Sequence, residues 1–205
     1  MKWFAGLVML SSLAKPPTLI DQFQKTWDET ASYQATFKQT VESKQIGTKE
    51  ESTGTIFVQK PGKLRWDCET DGSIQILNGK KLISIQVNRR RKTRAVDIYQ
   101  DISKAVDTKA IQFLAGKAKF QETYKIDSIG NPSTSSSLKL TPKGGDGLET
   151  YLAEIDKKSY FLRSLTTESA DTRVRMEFSD VKANVVLEAS LFDYAPDPKD
   201  VVHKQ

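Results

Sequence analysis

A tight turn between two strand-like runs narrows the choice of fold more than any other part of the chain. Residues 60–63 read Lys-Pro-Gly-Lys, in which proline holds φ at ~−65° and glycine accepts positive φ. The preceding residues 55–58 are β-branched or aromatic, as strands prefer. After the turn, Leu64, Trp66 and Cys68 alternate with charged residues, which places them on one face of a strand. The segment 55–68 therefore predicts a β-hairpin with one apolar face.

A period of two recurs along most of the chain. Tyr33, Ala35, Phe37 and Val41 share one face of a strand that begins at Ser32. Further strands are predicted at 73–77, 82–87, 120–126, 138–140, 148–155, 161–167, 173–178 and 191–194, and a polar turn at 47–54. Their spacing of about a dozen residues, with turn signals such as Asn-Gly at 78–79, is typical of an all-β sandwich or barrel.

Two segments have helical spacing instead. Thr18 is a plausible cap for a helix with Leu19, Ile20, Phe23 and Trp27 on one side. A second helix is predicted at 101–114, ended by Gly116; its apolar side carries Ile102, Val106, Ala110, Phe113 and Leu114. A helix that interrupts a run of strands needs a surface to cover, and the open face of a curved sheet is the simplest one.

The first fourteen residues have the pattern of a secretory signal. Lys2 precedes a mostly apolar run, and residues 12–14 (Ser-Leu-Ala) offer small side chains at a cleavage site. An ordinary buried N-terminal helix is the alternative interpretation. We therefore expect a mature, exported domain at 15–205, and the total of 205 residues suits one domain. With Cys68 as the only cysteine, no internal disulfide is available, and we expect it to pack on the Leu64–Trp66 face.

The charge pattern gives little reason to propose nucleic acid as a partner. The net charge of +5 is spread over many residues of both signs. The densest basic run, Asn-Arg-Arg-Arg-Lys-Thr-Arg at 88–94, has no interleaved aromatic residues for base stacking. This run is either a docking patch for an acidic partner or phospholipid head groups, or a solvated loop that keeps a sheet edge from pairing.

Motifs for catalysis are missing from the sequence. The only histidine, His203, lies two residues from the C-terminus, in a tail expected to be mobile. There is no zinc-ligand spacing and no glycine-rich phosphate loop. Pairs of carboxylates remain possible among 26 acidic residues. We expect no enzyme activity, cofactor or metal; a hydrolase acting on envelope material through two facing carboxylates is a minor alternative.

Three motifs together resemble a known family. They are Lys-Pro-Gly-Lys-Leu-Arg-Trp at 60–66, Asn-Gly-Lys at 78–80 and Phe-Asp-Tyr-Ala-Pro at 192–196. With these motifs the chain resembles the LolA family of periplasmic lipoprotein carriers. The resemblance implies a mainly β (α+β) fold, in which a curved antiparallel sheet forms an incomplete barrel covered by a helical lid. It also implies a monomer that receives lipoprotein acyl chains from an inner-membrane exporter. Delivery would be to an outer-membrane acceptor or to the outer membrane itself.

The resemblance, taken with the period of two, assigns roles to individual residues. The residues expected to bind lipid on the concave face are Tyr33, Phe37, Val41, Phe57, Leu64, Trp66 and Ile76. Those expected in the lid are Phe23, Trp27, Ile102, Val106, Phe113 and Leu114. Lys60 matches the family's latch, which bonds the lid backbone and is typically Arg. The sequence does not decide whether the concave face is a hollow pocket or a filled core. The alternative function is a carrier or sensor of another amphiphile, such as a polar lipid or an envelope-stress ligand.

Overall fold

The computed structural model describes residues 17–105, 109–116, 119–129, 136–143 and 150–204. Its helices are α1 (Leu19–Glu29), α2 (Lys109–Ala115) and α3 (Phe120–Thr123), with 3-10 helices at Ile102–Lys104 and Ala189–Phe192. Its strands are β1 (Ser32–Ser43), β2 (Lys49–Gln59), β3 (Lys63–Cys68), β4 (Ile74–Asn78), β5 (Lys81–Asn88), β6 (Thr93–Tyr99), β7 (Tyr124–Ile129), β8 (Ser137–Pro142), β9 (Thr150–Ile155), β10 (Leu162–Glu168), β11 (Thr172–Ala183) and β12 (Asp200–Lys204).

All of these strands belong to a single open sheet. The order is β12-β6-β5-β4-β3-β2-β1-β11-β10-β9-β8-β7, with β12 and β7 at its two edges. Neighbouring strands are antiparallel, except that β12 runs parallel to β6. A mainly β fold built on an incomplete barrel, with helices over one side, is therefore confirmed.

The two faces of the sheet carry separate apolar clusters. We call the face that packs against the helices the inner face; its cluster includes Tyr33, Leu64 and Trp66 together with Trp27 of α1. The outer face carries a smaller cluster of Ile76, Ile83, Ile85, Val96 and Ile98, with Ile74 and Tyr194 packed against it. Cys68 is buried in the inner cluster, as predicted.

Helix α1 has the boundaries that its sequence indicates. The Thr18 hydroxyl accepts a hydrogen bond from the Asp21 amide, and the Asp21 carboxylate accepts one from the Thr18 amide at 2.9 Å. This reciprocal capping box satisfies amides at the helix start that would otherwise have no partner. Phe23 and Trp27, predicted on the apolar side, are the residues of α1 that become buried.

Several local predictions are corrected by the structure. The helix predicted at 101–114 is divided into a 3-10 turn and the short α2, and Val106 lies outside the described residues. Residues 120–123 form α3 rather than the start of a strand, and the strand predicted at 191–194 is largely a 3-10 helix. The turn predicted at 47–54 is shorter, because β2 already begins at Lys49. These short segments take their conformation from packing, which overrides weak local preference.

The C-terminal tail is an ordered strand, contrary to the expected mobility. Asp200, at the start of β12, accepts two hydrogen bonds from the Arg94 guanidinium, at 2.5 and 2.7 Å. The Tyr194 hydroxyl donates to the same carboxylate at 2.5 Å. These bonds, led by that from Arg94, hold the pKa of Asp200 far below its usual range despite burial. The pairing joins residues more than a hundred positions apart, so no local signal could reveal it.

Candidate functional site

One turn of the sheet bonds the C-terminal ends of both helices. The Lys60 amide donates to the carbonyl of Ala31, just after α1, at 2.8 Å, and the Lys60 ammonium donates to the carbonyl of Trp27 at 2.5 Å. The Gly62 amide donates to the carbonyl of Ala115, the last residue of α2, at 3.1 Å. Carbonyls at helix C-termini lack partners within the helix. The turn therefore supplies these partners and holds α1 and α2 over the inner face.

The side chain of Lys60 lies against the indole that it helps to position. Its Nζ atom is 3.7 Å from the ring centroid of Trp27, within cation–π range. Burial lowers the pKa of Lys60 to about 8, although the nearby Asp28 carboxylate acts to raise it. Lys60 thus makes the contact to helix backbone that its motif position implies, in a partly desolvated setting.

Aromatic side chains fill the end of the inner face that lies under α1. Trp27 packs at its centre, with ring centroids 5.6 to 6.4 Å away; these neighbours are Phe23, Tyr33, Phe113, Phe120 and Phe161. The buried Tyr33 hydroxyl donates to the Leu114 carbonyl at 3.1 Å, and burial raises its pKa well above the usual range. This end of the concavity is a packed core rather than a pocket.

The other end of the inner face carries a cavity of about 710 Å³ that is partly open to solvent. Strand residues line most of it, and Ala105 and Ile111 also contribute to its lining. Its lining residues are Gln39, Val41, Ser52, Trp66, Cys68, Asp71, Ser73, Gln75, Ala105, Ile111, Thr150, Tyr151, Thr167, Glu168, Ser169, Thr172, Val174 and Met176. A volume of this size is within the range of ordinary small-molecule and cofactor pockets.

The cavity has an apolar part and a polar part. Trp66, Tyr151 and Met176 are buried side chains of the apolar part. The polar part includes side chains at the ends of strands, among them Asp71 and Glu168. A ligand with an apolar body and a polar end would match both parts, because buried polar groups need partners and apolar surface does not.

The residues predicted to bind lipid fall into three groups. Val41 and Trp66 line the cavity. Tyr33, Phe37 and Leu64 lie on the same inner face, but they are buried in the core cluster, and Phe37 packs beneath Trp66 with ring centroids 4.3 Å apart. The remaining two predicted residues need a correction.

Placement of Ile76 and Phe57 on the inner face was wrong. In β4, Gln75 is paired with Trp66 and Leu77 with Leu64, so Ile76 points to the outer face and joins the outer cluster. In β2, the neighbours of Phe57 on either side belong to the inner cluster, so Phe57 lies opposite them. Adjacent side chains of a strand alternate between faces, and the pairing register decides which set points inward.

The predicted lid residues outside α1 are also placed by the structure. Phe113 and Leu114 of α2 are buried in the core cluster, and Ile102 is partly buried against it. Sequence reasoning missed Ile111, which lines the cavity, and Tyr151, Val174 and Met176, which line it from β9 and β11. A signal for the β11 pair was present in the sequence, because Val174, Met176 and Phe178 alternate with charged residues along residues 173–178. The structure pairs Val174 with Val41 and Met176 with Gln39 on β1.

Two structural features are absent from the part of the chain that the structure describes: a cluster of metal-ligating side chains and a long apolar helix. Within it, no group of three or more His, Cys, Asp or Glu residues is arranged to hold a metal ion. No helix among the described residues is long and apolar enough to cross a membrane.

Comparison with known proteins agrees with this geometry. An outer-membrane lipoprotein carrier protein of Chromobacterium violaceum is 27% identical over 168 residues, covering 82% of this chain and 78% of the relative. One of Pseudoalteromonas translucida is 26% identical over 200 residues, covering 93% and 90%. An uncharacterized conserved protein from Thermus thermophilus shares the fold, with a TM-score of 0.51, 13% identity and coverage of 90% and 97%. Residues 28–195 match the family described as outer membrane lipoprotein carrier protein LolA, and the chain therefore belongs to that family.

Proposed function

We propose that this protein is a periplasmic carrier that holds the acyl chains of lipoproteins in the cavity of its inner face. In this proposal it takes cargo from an inner-membrane exporter and delivers it to an outer-membrane acceptor or to the outer membrane itself. Residues 1–14 would act as the export signal and 15–205 as the mature domain, a monomer. The observation that carries the proposal is the cavity of about 710 Å³, whose lining includes the apolar side chains of Trp66, Ile111 and Met176.

The energetics favour a cavity of this kind. Each methylene taken from water is worth roughly 0.8 kcal/mol, so an acyl chain of about fifteen methylenes would cost about 12 kcal/mol to expose. A carrier must offset that cost with apolar wall and still release the chain. The lipid-facing residues in the proposal are Val41, Trp66, Ile111, Tyr151, Val174 and Met176.

Competition between cargo and lid would make release possible. Helices α1 and α2, with Phe23, Trp27, Ile102, Phe113 and Leu114, form the lid in this proposal, and Lys60 is its latch. When cargo displaces the lid, the apolar lid surface loses its contacts, so the net affinity is the difference of two large terms. The hydrogen bonds from the 60–63 turn favour the closed state.

Binding rather than catalysis fits the two acidic side chains of the cavity. At Asp71, burial acts to raise the pKa, but hydrogen bonds from Ser73 outweigh it and lower the pKa. At Glu168, the hydrogen bond from Lys44 lowers the pKa. A carboxylate pair working as acid and base needs one member with a raised pKa. With both shifts downward, we infer that Asp71 and Glu168 do not work as an acid–base pair.

A charge inside the cavity tests the carrier proposal. Val41→Glu places a carboxylate in the cavity at a residue that is only partly buried, so we expect the fold to persist and bound acyl cargo to be lost. The matched control is Val186→Glu, at a side chain that is 96% exposed. The measurement is mass spectrometry of the lipids and lipoproteins that co-purify from the periplasm. Equal cargo on wild type and Val41→Glu, with Val41→Glu folded, would refute the proposal.

The polar part of the cavity favours a second candidate function. Gln39, Ser52, Gln75 and Thr167 give it hydrogen-bonding groups that an acyl chain alone would not use. A carrier or sensor of another amphiphile, such as a polar lipid or an envelope-stress ligand, would use them for its head group. The same mass spectra separate the two functions, because they identify either acylated protein or a free lipid.

A further inference from the structure

The tip of the β5–β6 hairpin is a concentrated basic surface. Residues 89–92 read Arg-Arg-Arg-Lys and all four are exposed. Lysines at the same end of the sheet are neutralised: Lys44 pairs with Glu168 at 2.8 Å and Lys49 with Glu42 at 3.7 Å. Among the described residues, no ion pair to a carboxylate involves the side chains of 89–92. The tip therefore presents net positive charge to whatever approaches this end.

Only a short part of the β5–β6 hairpin is a free edge of the sheet. One side of the β5–β6 hairpin is paired with β4, and the other side is covered by β12. Arg94, the last basic residue of the run, is occupied in that pairing by Asp200. Residues 81–85 pair with β4 and residues 94–98 pair with β12, so only the residues next to the tip are left for a guard against edge pairing to protect.

The tip lies beside the cavity. The Arg89 guanidinium donates to the carbonyl of Thr70 at 3.1 Å. A Cβ placed on Gly72 would lie 3.5 Å from the Val87 side chain. These contacts fix the basic tip against the β3–β4 turn, whose residues Asp71 and Ser73 line the cavity.

An apolar side chain projects from the same end of the sheet. Ile46, in the β1–β2 turn, is 74% exposed. The β1–β2, β3–β4 and β5–β6 turns are all at this end, because the intervening strands are antiparallel. The polar neighbours of Ile46 are paired: Lys44 with Glu168, Lys49 with Glu42 and Gln45 with Asp171. The isoleucine side chain remains exposed to solvent beside them.

We propose that this end of the protein docks on an anionic phospholipid surface, through the basic tip 89–92 and the exposed Ile46. A bilayer presents anionic head groups and accessible hydrocarbon in one plane, which suits two protrusions of different chemistry on one rim. Docking in this way brings the cavity next to the lipid. The inference gives the proposed carrier a place of transfer, but the docking itself does not depend on cargo.

Vesicle co-sedimentation tests the docking. Wild-type protein should bind vesicles containing phosphatidylglycerol, bind poorly to pure phosphatidylcholine vesicles, and be released by high salt. Arg89→Gln, Arg90→Gln and Arg91→Gln combined should reduce binding by on the order of 100-fold, since each basic residue near an anionic surface contributes about fivefold. Ile46→Ser should reduce vesicle binding by a smaller factor, and this factor should be the same at low and high salt.

A matched control uses three lysines at the opposite end of the sheet, Lys80, Lys81 and Lys158, changed together to Gln. All three are exposed; Lys80 and Lys158 lie in the β4–β5 and β9–β10 turns, and Lys81 is the first residue of β5. Their loss should therefore leave vesicle binding within a few-fold of wild type. Equal loss in both variants, binding without lipid selectivity, or no binding by wild type would overturn the proposal. Salt-sensitive binding to an acidic protein without any binding to anionic vesicles would overturn it too. The tip variant should keep its co-purified cargo, so failure of docking and failure of the carrier function are separable.

Discussion

Replacing Lys60 by Met tests whether the 60–63 turn holds the lid closed. Methionine has a similar length and apolar stem, but it cannot donate to the Trp27 carbonyl, which Lys60 bonds at 2.5 Å. It also removes the positive charge that lies 3.7 Å from the Trp27 ring centroid. The β-hairpin keeps its backbone bonds, so the change acts on the contact between turn and α1.

Two opposing effects set the expected magnitude. A carbonyl left without its donor costs about 1–3 kcal/mol, and the lost cation–π contact adds about 0.5–1 kcal/mol. Methionine avoids the free-energy cost of burying an ammonium group, and this offsets part of the loss. The lowered pKa of Lys60 reflects that cost. We expect a net loss near the lower limit, about 1.4 kcal/mol, which corresponds to about tenfold more frequent opening of the lid.

Native-state hydrogen exchange measures this opening. The amide of Thr30, bonded to the Thr26 carbonyl at the end of α1, should exchange about tenfold faster in Lys60→Met. Lys63→Met is the matched control, because the Lys63 ammonium faces the Phe192 ring at 5.9 Å, on the outer face. Unchanged or slower exchange in Lys60→Met, or equal acceleration in the control, would refute the latch.

Two other predictions concern charge. The pKa of Lys60 is about 8 in the folded protein and about 10.4 in water, so between these values the unfolded chain binds the extra proton and stability rises with pH. Lys60→Arg stays charged and should lack this rise, so the melting temperature of wild type minus that of the variant should increase from pH 7.5 to 10; a constant difference would contradict the assignment. Asp200→Asn removes the negative charge and one of the two acceptor oxygens that hold Arg94 and Tyr194, and should cost about 1.5–3 kcal/mol, measured by urea unfolding. Because a depressed carboxyl pKa stabilises the fold above about pH 4 and loses this effect in acid, the difference between wild type and Asp200→Asn should shrink as the pH falls; a difference independent of pH would count against the pair.

Local sequence patterns were sufficient to predict the elements with strong periodicity. The Lys-Pro-Gly-Lys turn with its flanking alternation indicated the β2–β3 hairpin, and the spacing of Phe23 and Trp27 indicated the buried side of α1. Thr18 was recognisable as its cap. These features depend on residues within a few positions of one another, so their physical causes are all present in a short window of sequence.

Predicting which residues lie on each face of the sheet, and which strands form its edges, required long-range information. In β4, apolar residues fall on both faces, so alternation alone could not assign Ile76; the pairing of Gln75 with Trp66 decided it. The strand β12 has no local signal, and exists because Asp200 meets Arg94. Pairing register is a property of two strands together, and it is settled by packing that the sequence of either strand alone does not contain.

The sequence by itself determined that this chain would form a mainly antiparallel sheet with an apolar face and helices to cover it. Only the tertiary structure decided how that face is divided, with an aromatic core under α1 and a cavity of about 710 Å³ beyond it. The physical reason is that a short helix fills only the space it reaches. Its reach is set by where the 60–63 turn bonds Trp27 and Ala115, and not by the pattern of any one segment.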